Sequence, residues 1–175
     1  MVKIHDKHFK LYISQEEIKS TLTRLAEQID RDFADECPIL LGVLDGAFIF
    51  LADLVRAMTI DCEVSFVKIK SYQGTESNNQ ASTVLGMSID VKNRPVIVIE
   101  DIVDTGHTLH SFCQTLQAFS PASIHIACLL HKPEALNYPL CIDYIGFEIP
   151  PKFVVGYGLD YDGLGRNYSD IYQIC

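Results

Sequence analysis

Apolar side chains return every three or four positions along residues 14–33, at Ile18, Leu22, Leu25, Ile29 and Phe33. That spacing lays one stripe along a helix. Ser14 followed by Glu17 reads as a capping box at its start. The pattern then shortens. Residues 39–44 are continuously apolar and predict a short buried strand, and residues 47–58 predict a helix. VSFVKIKSY, residues 64–72, alternates apolar and polar positions as a half-buried strand does. Residues 95–99 form a second wholly apolar strand, followed by a helix from about 108 to 119. Strands are expected at 123–130 and 143–148, with short ones at 153–157 and 171–174.

Strands that are apolar on both faces and alternate with helices imply an α/β fold with a mostly parallel sheet covered by helices. Ligands in such folds bind at the carboxyl ends of the strands. The informative residues therefore follow Leu44, Ile99 and Leu130. One segment does not fit a core: residues 73–83, QGTESNNQAST, are polar and hold no large apolar side chain. They read either as a tolerated surface loop or as a lid.

Composition narrows the choice. The chain has 175 residues, enough for one domain with a real core and too few for two ordinary ones. Its formal charge is −9, from 14 basic and 23 acidic residues. That disfavours a general nucleic-acid binder or an anionic membrane surface. An acidic protein still binds small anions when backbone amides or a divalent cation carry the positive charge. MVKIHDKHFK at the start lacks the apolar core of a secretory leader, and no run approaches a membrane span. The six cysteines form no CxxC pair and read as reduced thiols of a cytoplasmic protein.

The chemistry concentrates in VIVIEDIVDTGHTLH, residues 96–110. A strand that enters a Thr/Gly turn before a helix points backbone N–H groups outward, and the helix N-terminus adds partial positive charge. Gly106 allows close approach of the backbone, while Thr105 and Thr108 add hydroxyls. Those groups suit one phosphate. Glu100, Asp101 and Asp104 need other tasks: carboxylates accept bonds from sugar hydroxyls, ligate hard cations and take protons. Glu100 and Asp101 are neighbours, so in a regular strand they point to opposite faces and share a ligand only if the strand has ended. Two plainer readings stand beside this one: solvated loop acids or helix caps, and an acidic cation or phosphoacceptor pocket.

VIVIEDIVDTGHTL closely resembles the signature with which type I phosphoribosyltransferases bind phosphoribosyl diphosphate (PRPP). LGVLDGAFIFLADLVR, KSYQGT and GFEIPPKFVVGYGLDY resemble, in order, the pyrophosphate loop, the start of the mobile loop and the purine-binding end of the hypoxanthine-guanine branch. The resemblance covers most of the chain. It implies one phosphoribosyltransferase domain over residues 1–175, a lid at about 71–83, and a hood at about 131–175 with an N-terminal contribution.

The resemblance also assigns roles. Residues 104–108, including His107, would hold the 5′-phosphate of PRPP. Glu100 and Asp101 would hold the ribose hydroxyls and Mg²⁺, and Asp104 would accept a proton near purine N7. Asp45 and Gly46 would form the pyrophosphate loop, with a cis peptide expected at Leu44–Asp45. Arg166 would neutralise the leaving group, and Asp160 would lie by the purine and hold a second Mg²⁺. Lys132, Phe153 and Val154 would bind the purine, Lys132 selecting an oxygen at position 6 because it has only donors. Ser71 and Tyr72 would belong to the lid. Products would be a purine nucleoside monophosphate and pyrophosphate, made by a homodimer or homotetramer. His107 and Asp45 depart from the family pattern, which often has Lys at the first and Lys or Arg at the second. A xanthine-preferring enzyme and a PRPP-sensing regulator share enough of these motifs to stand as rivals.

Overall fold

The computed structural model describes residues 1–70, 83–85 and 88–175. Two sheets organise them. The larger is built from β3 (Ile39–Leu44), β4 (Glu63–Lys70), β5 (Thr83–Leu85), β6 (Pro95–Val103), β7 (Ser123–His131) and β8 (Tyr144–Glu148). Its order is β5-β4-β3-β6-β7-β8, parallel except for β5, which pairs antiparallel with β4 at the edge. The smaller sheet is the hood. It joins β1 (Val2–Ile4), β2 (Lys7–Ile13), β9 (Val154–Val155) and β10 (Ile171–Ile174) in the antiparallel order β1-β2-β10-β9. The expected strand-and-helix alternation and parallel sheet are present; β1 and β2 are additional elements.

Alternation within the buried strands distributes the core. Leu40, Ile97, Ile99, Ala127 and Leu129 face one layer with α1 (Gln15–Asp32) and α2 (Phe48–Ala57). Ile39, Leu41, Val96, Val98, Ile126 and Cys128 face the other with α3 (His107–Gln117). The Ser14 capping box forms on α1, and Ile18, Leu22, Leu25 and Ile29 are buried as its stripe requires. Burying each such side chain is worth roughly 1.5–3 kcal/mol. All six cysteines are free, and no helix among the described residues is long and apolar enough to cross a membrane.

The hood is tied to the sheet at several points. Ile13, Val154, Tyr157 and Ile171 share a cluster with Leu22, Ile99 and Leu130. The Tyr157 hydroxyl donates to Asp53 Oδ2 on α2 at 2.7 Å. Gln15 N donates to Asp170 Oδ1 at 2.9 Å. Asp53, the acidic residue of a largely apolar helix, thus serves as a hood anchor.

Gly146 in β8 is held where a side chain has no room, because a Cβ there would fall 2.4 Å from the Leu129 carbonyl oxygen of β7. Backbone in the middle of a sheet does not yield cheaply. Gly146→Ala is expected to cost about 1–3 kcal/mol, the usual range for overpacking. Urea unfolding with an unchanged m-value checks this, and a midpoint equal to that of the parent would contradict the geometry.

Candidate active site

The site lies at the carboxyl ends of β3, β6 and β7. β6 is longer than its apolar run: it continues through Glu100 and Asp101 to Val103. The expectation that the strand ends at Ile99 is corrected accordingly. Period-2 alternation then sends Asp101 to the α2 face with Ile97 and Ile99, and Glu100 to the α3 face with Val96 and Val98. The two carboxyls nevertheless meet, contrary to the expectation for a continuing strand. β3 stops pairing with β6 at Gly42–Ile99, which frees that side of the strand end. Glu100 Oε1 accepts the Asp101 amide at 3.3 Å, and the two side chains stand within hydrogen-bonding reach of each other.

Their surroundings are unfriendly to charge. Glu100 as a residue keeps some exposure, but its carboxyl is enclosed by protein. Burial first, and the Asp101 carboxyl second, push its pKa well above the ordinary range. Asp101 is 8% exposed. Burial raises it too, while its contacts to Glu100, to the Ile102 amide and, more remotely, to Arg166 pull it back. Two buried carboxyls in contact make a site with unspent affinity for a hard divalent cation. Among the described residues no cluster of three ligating side chains forms. A cation here would complete its shell from water and ligand oxygens, which suits Mg²⁺.

Below the carboxyls is the phosphate-like turn. Gly106, the N-cap of α3, has φ 81°, and a Cβ would meet Leu136 and Leu140 within 2.8 Å. Only glycine satisfies both constraints. Gly106 offers α3 no side-chain cap and no acidic residue lies in its first turn; the His107 amide donates to Thr105 Oγ1 at 3.4 Å, and the amides that follow can face an anion. The Asn137 amide clamps the turn by donating to Thr105 O at 3.0 Å. Glu100, Asp104, Thr105, Gly106, His107 and Thr108 line a cleft of about 120 Å³. A larger cavity of about 570 Å³ lies between α1, α2 and the 157–169 loop, away from this chemistry. The smaller cleft is the better candidate because it joins the uncapped helix to the carboxyl pair.

Lys132 follows β7 and is 7% exposed. Its amide donates to Val103 O at 3.0 Å, and its ammonium donates to Asp104 Oδ2 at 2.6 Å. The structure thereby brings together two residues expected at the purine, Lys132 at position 6 and Asp104 near N7.

The second turn follows β3. The Leu44–Asp45 peptide is cis, as the resemblance implies. Gly46 rests directly on Asp101, where a Cβ would lie 1.8 Å from Oδ2. Gly158 in turn lies over Gly46, with its Cβ position 2.2 Å from Gly46 O. In the loop beyond, Arg166 pairs with Asp160 Oδ1 at 2.7 Å and donates to Gly158 O at 2.6 Å. Asp160 Oδ2 also accepts the Gly163 amide at 2.7 Å. Asp160 and Arg166 therefore brace each other beside the turn that carries Asp45 and Gly46.

Phe153 is 45% exposed and contacts Phe9 and Tyr161 in the hood. Val154 is buried in β9. Ser71 and Tyr72 lie outside the described residues. Sequence reasoning missed Lys68, whose ammonium donates to Asp45 Oδ2 at 2.7 Å. Only the sheet register, which sets Lys68 beside Leu44, reveals it.

A family profile described as the phosphoribosyl transferase domain matches residues 13–162. The hypoxanthine-guanine phosphoribosyltransferase of Aquifex aeolicus is 37% identical over 176 residues, covering 99% of this chain and 99% of that one. The hypoxanthine phosphoribosyltransferase of Haemophilus influenzae is 33% identical over 95% of this chain and 96% of its own. Among solved structures, a hypoxanthine-guanine phosphoribosyltransferase from Bacillus anthracis superposes with a TM-score of 0.90 at 34% identity, covering 96% of this chain and 100% of that one. A Trypanosoma cruzi hypoxanthine phosphoribosyl transferase gives 0.90 at 30%, covering 99% and 95%. The strand, the two glycine turns and the carboxyl pair thus sit in a chain that belongs to the phosphoribosyltransferase family and has its type I fold.

Proposed function

We propose that this protein transfers the 5-phosphoribosyl group of PRPP to hypoxanthine and guanine, giving IMP and GMP with release of pyrophosphate. The observation that carries this reading is the Lys132–Asp104 pair at 2.6 Å. It sets a donor beside an acceptor at one end of the candidate site. A 6-oxopurine presents the complement, a C6 carbonyl oxygen next to an N7–H. Adenine presents an amino group at position 6, which a lysine donor cannot satisfy.

The remaining roles follow from the same geometry. The free amides of the Thr105–Thr108 turn and its hydroxyls hold the 5′-phosphate, with His107 at the first position of α3. The Gly46 turn and Arg166 receive pyrophosphate. Phe153 stacks on the base beside the buried Val154. Glu100 and Asp101 hold the ribose hydroxyls, and together with Asp160 they are the carboxylates for Mg²⁺. When bound, Mg²⁺ supplies charge neutralisation for the leaving pyrophosphate. In the transfer the C1′–O bond to pyrophosphate breaks and purine N9 bonds to C1′. The N7 proton passes to Asp104, which Lys132 holds in place through their 2.6 Å contact. Positioning and electrostatics contribute most of the rate.

We further propose a single domain, since one core cluster runs from the sheet into the hood. We place it in the cytoplasm, in keeping with its six free thiols. A homodimer or homotetramer is supported by Phe48, Val64 and Phe66, all substantially exposed.

The direct test is to mix the protein with PRPP, Mg²⁺ and each of hypoxanthine, guanine, xanthine and adenine, following nucleotide formation by absorbance. Turnover with the first two and none with adenine is expected; exclusive use of xanthine or adenine would overturn the assignment. Asp104→Asn should lower kcat by about 10²–10⁴-fold, the range for general acid–base groups. Unchanged turnover in that variant removes Asp104 from proton transfer.

Glu100 sets a pH dependence. A carboxyl whose pKa is raised by folding contributes stability below its unfolded value, roughly 4, and loses it as pH climbs through the folded value. Metal-free protein should therefore weaken as pH rises from about 4. In EDTA at neutral pH, Glu100→Gln should melt higher than the parent, with the gap closing as pH falls toward 4. Thermal melts across that range check it, and a gap independent of pH would show that Glu100 does not bear the strain of the pair.

A further inference from the structure

An acidic side chain stands where the backbone invites an anion. Asp45 lies directly before Gly46, and α2 begins at Phe48 with no side-chain cap and no acidic residue in its first turn. The free amides there attract negative charge, while the Asp45 carboxylate repels it. Arg166 is already paired with Asp160 and bonded to the Gly158 carbonyl. A second cation beside the turn would balance Asp45.

The register of the sheet brings one. Lys68 of β4 is the direct partner of Leu44 at the end of β3. Its ammonium reaches Asp45 Oδ2 at 2.7 Å. Lys68 is the largest influence holding the Asp45 carboxyl below its usual range, and Arg166 adds a smaller one. The two side chains are 46% and 52% exposed. An ion pair that wet contributes little to stability and is screened by salt, so folding alone does not account for a lysine at this position. An ammonium has three donors. One bond to Asp45 leaves two donors on a side chain that is half exposed.

We propose that Lys68 is a binding residue for the pyrophosphate group and that Asp45 is its positioning residue, keeping the ammonium over the Gly46 turn. The inference rests on the reading of that turn as the pyrophosphate site. It goes further in moving the cation of the site off the turn and onto the neighbouring strand. Lys68 donates to a phosphoryl oxygen while retaining Asp45, so the acid next to the anion is neutralised at all times.

The test uses the whole protein with Mg²⁺ and pyrophosphate, read by calorimetry, alongside the KM values for PRPP and hypoxanthine. Lys68→Ala should weaken pyrophosphate binding and raise the PRPP KM by roughly 10-fold, the scale of a hydrogen bond to a charged group. The hypoxanthine KM and the melting temperature should stay unchanged, and Lys68→Arg should retain most of the affinity. Asp45→Lys combined with Lys68→Ala should restore binding by returning the charge to the turn. Pyrophosphate affinity and PRPP KM unchanged in Lys68→Ala, in a parent that turns over normally, would overturn the role of Lys68 alone. Lys68-dependent pyrophosphate binding by a parent that uses no purine would instead overturn the purine assignment and leave this inference standing.

Discussion

The contact on which the site is built is that of Asp101 against Gly46. A buried carboxyl at the end of β6 lies where the next strand's turn would carry its Cβ, and the two fit only because that Cβ is missing. Everything on the β3 side of the cleft is stacked from this point. Gly158 lies on Gly46 and brings the loop that holds Asp160 and Arg166. Tyr157, one residue earlier, is hydrogen-bonded to Asp53 on α2. Helix α2 therefore sets both the turn that starts it and the hood loop that covers that turn. Displacing either glycine carbonyl or carboxyl by a methyl group's width would move two anion-binding elements together.

The placement also shows how a chain with formal charge −9 arranges positive charge around this cleft. Its cations at the site are few, and each is already held by an acid: Lys132 by Asp104, Arg166 by Asp160, Lys68 by Asp45. The pairs keep long basic side chains in place before any ligand arrives, which lowers the ordering cost of binding. The N-caps of α2 and α3 carry no side-chain cap and no acidic residue stands in either first turn, so both helix ends add partial positive charge. Among the described residues Glu100 and Asp101 have no such cation partner, and burial raises both carboxyls.

Much of this was legible from residue order alone. The period of α1, its capping box and the apolar runs of β3, β6 and β7 follow from local patterning, because buried parallel strands leave little ambiguity. The turn before α3 was legible because Gly106 has a mechanical reason to be there. Of the hood strands, β9 and β10 were expected, at 153–157 and 171–174, but β1 and β2 were not. In β2 the buried residues are Phe9 and Ile13, four apart, and Leu11 between them is 53% exposed. Pairing with β10 also shifts register between Ile171 and Tyr172, so the period-2 signal is blurred. The end of β6 was misjudged for a different reason: carboxyls at 100 and 101 look like a loop, yet the backbone stays in the ladder with β7 as far as Val103.

Lys68 shows where such reading stops. On an alternating strand a lysine reads as a solvent-facing position, and nothing in VSFVKIKSY marks one lysine as different from another. Its partner Asp45 likewise looks like a loss of positive charge when the turn is read alone. Only pairing β4 with β3 turns two unremarkable residues into one charge-balanced unit. Site chemistry in a parallel sheet is set by register as well as by motif, because the carboxyl ends of neighbouring strands share a single ligand. A charge absent from one strand end can be supplied from the next at about 4.8 Å, the strand spacing, with no change in the turn that defines the family resemblance.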